Sequence, residues 1–289
     1  MGFAGDGKPG YLQRESVHVA LRLQRSKLLA HKQSVSLITY NIHKGFGPGR
    51  LRFLLPEMRE ALAALNPDVV FLQEVQGAHL RREARVSGWP DAPQFAYLAE
   101  NLWPHFAYGR NASYRSGHHG NAILSKFPMS TPSNLVLSTV RRASRGVLHC
   151  VLETDFARVH LLCVHLGVFR AERERQTDIL QQAMDTLVPA GEPLLMAGDF
   201  NDWRNTLSSE FFESHGLREA FQEVHGAHAR SFPAVRPALQ VDRIYYRGVS
   251  VSDVHCLAGK PWSRLSDHVP LFARFTLATT APVAGTVVP

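Results

Sequence analysis

The feature that most constrains this chain is a run of apolar segments that follow one another with no helical pattern between them. "HFAYGR" (105–110), "GNAILSK" (120–126), "GVLHCVLET" (146–154) and "RVHLLCVHL" (158–166) are each too short for a helix and rich in β-branched and aromatic residues. Strands joined this closely pair as antiparallel neighbours, since a parallel pair needs a crossover of a dozen residues or more. Elsewhere strand and helix alternate. "VSLITYN" (35–41) predicts a strand, "GRLRFLLPEMREALAAL" (49–65) a helix and "DVVFLQEV" (68–75) a buried strand. A short helix is predicted around 91–102, and the charged run 170–187 predicts a longer one. "PLLMAGDFN", "LQVDRIYYR", "VSVSDVHCL" and "HVPLFARFTL" complete the strands. The expectation is one α/β domain: two packed mixed sheets covered by helices, with no internal repeat. Residues 1–33 read as a basic extension with a helix over 15–30, residues 34–277 as the domain, and residues 278–289 as a tail.

Polar side chains gather at the strand ends. "SLITYN" ends at Asn41, "DVVFLQE" at Glu74 and "HLLCVH" at His165. "LLMAGDFN" delivers Asp199 and Asn201, which alternation places on one face of their strand. "LQVD" sets Asp242 early in a strand, and "SRLSDHVPLF" sets Asp267 and His268 just before one. A single such residue usually makes a turn or a cap. Six strands ending this way, in a chain only 20% charged, point instead to chemistry. Glu74 and Asp267, with Asn41, offer hard oxygen ligands and no thiolate, a set suited to Mg²⁺ or Mn²⁺. Such a metal would bind a phosphate oxygen and offset charge on the phosphorus. Asp199 could deprotonate a water held by Asn201, and His268, held by Asp242, could bind phosphoryl oxygens.

"TYNIHKG", "LQEV", "VHLG", "GDFN", "VDRIYY" and "SDHVP" occur in an order that resembles the endonuclease/exonuclease/phosphatase superfamily over about residues 34–277. That group includes deoxyribonuclease I, exonuclease III-type nucleases, neutral sphingomyelinases, inositol polyphosphate 5-phosphatases and tyrosyl-DNA phosphodiesterase. The resemblance implies a four-layered α/β sandwich with the site at one edge of the paired sheets. It implies metal roles for Asn41, Glu74 and Asp267, water activation by Asp199 and Asn201, and an Asp–His dyad of Asp242 with His268. His165 falls where some members carry a phosphate-contacting histidine. "CVHLG" and "DRIYY" depart from the abasic-site nucleases and sit closer to the sphingomyelinase, deoxyribonuclease and tyrosyl-DNA phosphodiesterase side.

Charge bears on the substrate. The formal net charge is +7, which favours a polyanionic partner. Between Glu100 and Glu153 there is no Asp or Glu, while Arg110, Arg115, Lys126, Arg141, Arg142 and Arg145 fall in that interval. A deoxyribonuclease-like carboxylate partner for His165 would come from this interval, which holds none. Arg141, Arg142 and Arg145 are therefore candidates to meet substrate phosphates, and His119 and Asn121 in "SGHHGNAILS", with His118 beside them, to touch phosphate or leaving group. The leading expectation is a divalent-metal-dependent phosphodiesterase acting on nucleic acid, most readily DNA. The alternative is a phospholipid phosphodiesterase or phosphoinositide phosphatase at an anionic membrane surface. A binding protein on an inactive fold is disfavoured by the intact polar set. Three widely spaced cysteines with no C-x-x-C speak for a reducing, cytoplasmic setting without a disulfide framework. The reading is of a monomer with no obligate protein partner.

Overall fold

The computed structural model describes residues 34–50, 52–137 and 145–277. Twelve strands among these residues form two six-stranded sheets with helices on their outer faces. The first sheet holds β1 (Ser34–Asn41), β2 (Val69–His79), β3 (His105–Tyr114), β4 (Gly117–Ser125), β11 (Val249–Cys256) and β12 (Leu271–Leu277), in the order β11-β12-β1-β2-β4-β3. The second holds β5 (Ser133–Val136), β6 (Gly146–Glu153), β7 (Arg158–His165), β8 (Leu194–Asp199), β9 (Arg218–Glu219) and β10 (Asp242–Arg247), in the order β5-β6-β7-β8-β10-β9. β1 and β2 pair in parallel across helix α1 (Leu55–Leu65). β7 and β8 pair in parallel across a second long helix, Arg170–Leu187. The hairpins β3–β4 and β6–β7 are antiparallel. The architecture is the expected four-layered sandwich of two mixed sheets.

Alternation along the strands sorts the cores. Val35 and Leu37 of β1 pack between the sheets with Leu161, Leu195 and Ile244, while Ile38 and Tyr40 of the same strand pack outward under the helices. Leu194 and Met196 likewise face out to the Arg170–Leu187 helix, and Leu195 and Ala197 face in. This period of two is what aims the functional side chains. Along β1 the inward set is Leu37, Thr39, Asn41. Along β7 it is Leu161, Cys163, His165, and along β8 Leu195, Ala197, Asp199. Along β10, read backwards, it is Tyr246, Ile244, Asp242. Four strands thus carry a polar residue where the apolar inter-sheet face stops, all at one end of the sandwich.

Some expected boundaries differ. The helix predicted from residue 49 begins at Leu55, with Pro56 in its first turn, because Gly45, Gly47 and Gly49 belong to a tight loop before it. β2 does not end at Glu74: it continues to His79, paired with β4, and Glu74 stands in a bulge between Leu72 and Val75. The strand carrying Asp199 ends there, and Asn201 adopts a left-handed backbone (φ 52°) rather than sharing a strand face with it.

Candidate active site

Asp199 sits at the centre. Its Oδ2 accepts the side-chain amide of Asn41 at 3.0 Å, and its Oδ1 accepts the backbone N–H of Asn201 at 3.0 Å. His165 Nε2 lies 3.4 Å from the same Oδ2, and His268 Nε2 lies 3.9 Å from it. Burial lifts the Asp199 carboxyl to about 7, with the nearby His268 acting against that rise. His268 is buried too, which alone would disfavour its charge. The Asp242 carboxylate, 2.8 Å from His268 Nδ1, outweighs burial and lifts the imidazolium to about 10. Ser231 donates its hydroxyl to the same Asp242 oxygen at 2.5 Å, and the Phe232 ring lies 5.0 Å from the His268 ring. The dyad is therefore a charged imidazolium fixed on a buried carboxylate. His165 is held neutral, well below its ordinary range, by burial and then by Arg145.

Glu74 lies on the other side. Burial would raise its carboxyl, but the Lys44 ammonium in contact with Oε2, helped by Arg145, holds it well below the usual carboxylate range. Asn41 Oδ1 accepts the His43 N–H at 3.0 Å, and His43 Nδ1 lies 3.6 Å from Asp267 Oδ2. Burial lowers the His43 imidazole, with the Asp267 and Glu74 carboxylates acting against it. Ser266 donates to the Asn41 carbonyl at 2.7 Å, tying the Asp267–His268 segment to the end of β1. Positive φ marks the same places. Among the described residues, eight non-glycines have it, and His43, Lys44, Glu74 and Asn201 are four of them. Local backbone strain concentrates where side chains must be aimed off the regular strand.

Of the expected residues, Asn41, His165, Asp199, Asn201, Asp242 and His268 come together. Glu74 and Asp267 flank them through Lys44 and His43. Arg145 acts electrostatically on Glu74, His165 and Asp199. His119 is partly buried and tilted on Tyr114, with its own basicity lowered to about 4 by burial and by Lys44. Asn121 corrects an expectation. It is wholly buried between the sheets and donates to the carbonyls of Gly146 and Cys163, both at 3.0 Å, so it ties the sheets together rather than facing substrate. Arg141 and Arg142 lie outside the described residues, as do the proposed extension and tail. Sequence reading missed His43, Lys44 and Ser231. The run "NIHKG" carried the signal for the first two, a His and a Lys within three residues of a polar strand end.

A family profile described as the endonuclease/exonuclease/phosphatase family matches residues 38–268. The chain belongs to this family. Its members are phosphoric ester hydrolases that typically use divalent metals. The chain is 44% identical over 246 residues to the uncharacterised protein YbhP of Escherichia coli (strain K12), covering 84% of this chain and 97% of that one. Its fold matches an endonuclease/exonuclease/phosphatase structure from Beutenbergia cavernae (TM-score 0.70, 20% identity, 87% of this chain and 73% of that one). It also matches the human Nocturnin catalytic domain (TM-score 0.64, 18% identity, 86% and 96%). Within this family frame, Asp199, Asp242 and His268 are the described His/Cys/Asp/Glu set that brings three ligand atoms within 4.8 Å. Asp242 Oδ2 is already shared by Ser231 and His268, so these residues act better as a dyad and its neighbour than as a cation cage. Glu74 holds a positive charge, the Lys44 ammonium, at its oxygen.

Proposed function

We propose that the protein is a divalent-metal-dependent phosphodiesterase. The observation that carries this reading is the convergence of four inward-facing strand ends on Asp199, with a charged His268–Asp242 dyad on one side and Glu74 on the other. Glu74, Asn41 and Asp267 would hold Mg²⁺ or Mn²⁺. All three supply oxygen, and Lys44 already occupies a cation position on Glu74. When bound, the metal would offset charge building on the phosphoryl oxygens. Asp199, raised toward neutrality by burial, takes a proton from the attacking water. Asn41 and the Asn201 backbone fix the two carboxylate oxygens, so the base is aimed before substrate arrives. His268 stays protonated on Asp242 and donates to a phosphoryl oxygen. Neutral His165 adds an uncharged ring nitrogen within reach of the same centre.

The substrate class expected from charge is nucleic acid, and Lys44, Arg82 and Arg145, which all act on the charges of Glu74 or His119, support a phosphate-rich substrate. A second reading, a phosphodiester at an anionic membrane, is favoured by the exposed apolar side chains around the same edge. A substrate panel tests both: plasmid, single-stranded oligonucleotide, RNA, anionic phospholipid vesicles and bis-p-nitrophenyl phosphate, each with Mg²⁺, Mn²⁺ or EDTA. Metal-dependent turnover of at least one diester is expected. Absence of metal-dependent turnover of every diester in the panel would overturn the phosphodiesterase reading.

A further inference from the structure

Eight large hydrophobic side chains are exposed among the described residues, and six lie at the end of the sandwich that carries Asn41, His165 and Asp199. Leu80 follows His79, which pairs with Gly117, and Tyr114 pairs with Gly117 across the β3–β4 turn. Val136 pairs with Gly146, which pairs with His165. Val168 and Phe169 come three and four residues after His165. Val235 follows Ala234, whose N–H donates to the Asp267 carbonyl at 2.7 Å. Phe169, Val235 and Leu80 are the most exposed, at 76%, 73% and 66%. Exposed Phe106 lies near the opposite end of β3.

Four of the six are followed directly by an exposed arginine: Leu80–Arg81, Tyr114–Arg115, Phe169–Arg170 and Val235–Arg236. Acidic groups stand nearby at two of these points: Glu174 pairs with Arg170 at 2.7 Å, and Glu83 accepts the His79 N–H at 2.8 Å. Val235 also forms one wall of a pocket of about 870 Å³, with Leu54, Pro261 and Leu265 beside it; its charged lining is Arg52, Lys260 and Arg264 with Glu57 and Glu60. Leu265 directly precedes the Ser266–His268 segment, so the pocket adjoins the catalytic edge.

The chemistry of this rim separates two polyanions. Single-stranded nucleic acid is gripped by aromatic faces on which bases stack, alternating with cations. Four of the six exposed side chains here are aliphatic and have no π face to offer, so a bound strand would leave them in water. A bilayer interface takes aliphatic side chains out of water, while arginine stems lie along them and guanidinium heads meet lipid phosphates. We infer that the catalytic edge docks on the surface of an anionic phospholipid bilayer and presents Asp199 and His268 to a phosphodiester at headgroup depth. The adjoining pocket has the size and lining for the apolar part of one lipid. The choice of bond rests on the phosphodiesterase reading; the docking surface stands on exposure and charge alone.

The test uses the full chain. Partition is measured onto vesicles of equimolar phosphatidylglycerol and phosphatidylcholine, onto phosphatidylcholine alone, and onto a single-stranded oligonucleotide. The triple variant Leu80→Ser, Phe169→Ser, Val235→Ser removes exposed side chains only, and serine suits the position before a helix that Phe169 holds. Wild type is expected on the anionic vesicles and not on phosphatidylcholine. The triple variant should lose that binding by roughly 100-fold, from three apolar side chains left in water. Its hydrolysis of bis-p-nitrophenyl phosphate and its melting temperature should match wild type. Absence of wild-type partition onto anionic vesicles would overturn the inference, and so would equal partition of the triple variant. Loss of oligonucleotide affinity with vesicle affinity intact would hand the surface to nucleic acid. Wild type that binds vesicles yet hydrolyses no diester in the substrate panel would support the docking surface and sink the phosphodiesterase reading separately.

Discussion

At the residue scale, two carboxylates a few ångströms apart are given different roles by their partners. Asp242 spends one oxygen on Ser231 and His268 and keeps the imidazole charged, whereas Asp199 faces an amide, a backbone N–H and a neutral histidine, and burial keeps it close to neutrality. Asp242→Asn removes the charge that holds His268 protonated. It is expected to lower turnover of a soluble diester by roughly 10² to 10³-fold, the usual cost of losing a fixed electrostatic donor. Steady-state rates beside circular dichroism check this, and near-wild-type turnover would remove His268 from the mechanism. Away from the site, His149 is buried against His160 at 3.0 Å, which in turn meets Glu192 at 2.7 Å. Burial, then His160, lowers His149 from 6.5 to about 4. The fold therefore holds it neutral, while the unfolded chain takes up a proton below 6.5. Its stabilising share is intact above that pH and is lost as pH falls from 6.5 toward 4. Melting temperature measured across this window should drop, and His149→Leu should flatten the drop; identical pH dependence in the two proteins would refute the assignment.

At the element scale, the loops that follow His165 and Asp199 are set by what grips them. Arg173, on the helix that joins β7 to β8, donates to the Val168 carbonyl at 2.6 Å and to Asp202 Oδ1 at 3.2 Å, bridging the segments that follow His165 and Asp199. Asp202 also accepts from Thr206 and Leu207, and Arg243 reaches the Asp202 carbonyl at 3.2 Å. Arg173→Met leaves a buried carboxylate without its cation and is expected to cost about 3–5 kcal/mol in urea unfolding; a cost within experimental error would show the bridge to be idle. Gly198 is a second constraint. It has φ 152°, and a Cβ there would meet the Val164 carbonyl oxygen at 1.8 Å, so β7 and β8 approach closely only because the residue before Asp199 is glycine. The strands, the long helix and the strand-end residues were legible because each follows from alternation or period within one segment. Glu74 was placed at a strand end because its side chain is polar and the run before it is apolar. The bulge that actually aims it depends on pairing with β4, which no local pattern encodes. Asn121 was read as a substrate contact for the same reason: its burial comes from carbonyls of the other sheet, at Gly146 and Cys163, more than twenty residues downstream. Lys44 was missed because its role depends on Glu74, thirty residues away.

At the scale of the whole molecule, two sheets bury their apolar faces against each other and leave polar groups only where that face runs out. The convergent polar side chains and most of the exposed large apolar residues among the described ones then share one end of the sandwich. No described helix is long and apolar enough to cross a membrane. The convergent groups named among the described residues all follow residue 33 in sequence. Protein beginning at Ser34 is expected to hydrolyse a small soluble diester at the full-length rate, and a collapse of that rate with the fold intact would place a missing catalytic group in the extension. The central claim is that inward-facing strand ends, with a hard cation on Glu74, make a phosphodiesterase centred on Asp199. The most direct measurement is the initial rate on bis-p-nitrophenyl phosphate after chelation and after return of Mg²⁺, for wild type and Asp199→Asn. The expected result is no turnover with EDTA, recovery with Mg²⁺, and a loss of roughly 10² to 10⁴-fold in Asp199→Asn at saturating Mg²⁺. Full activity in EDTA, or wild-type turnover by Asp199→Asn, would contradict it.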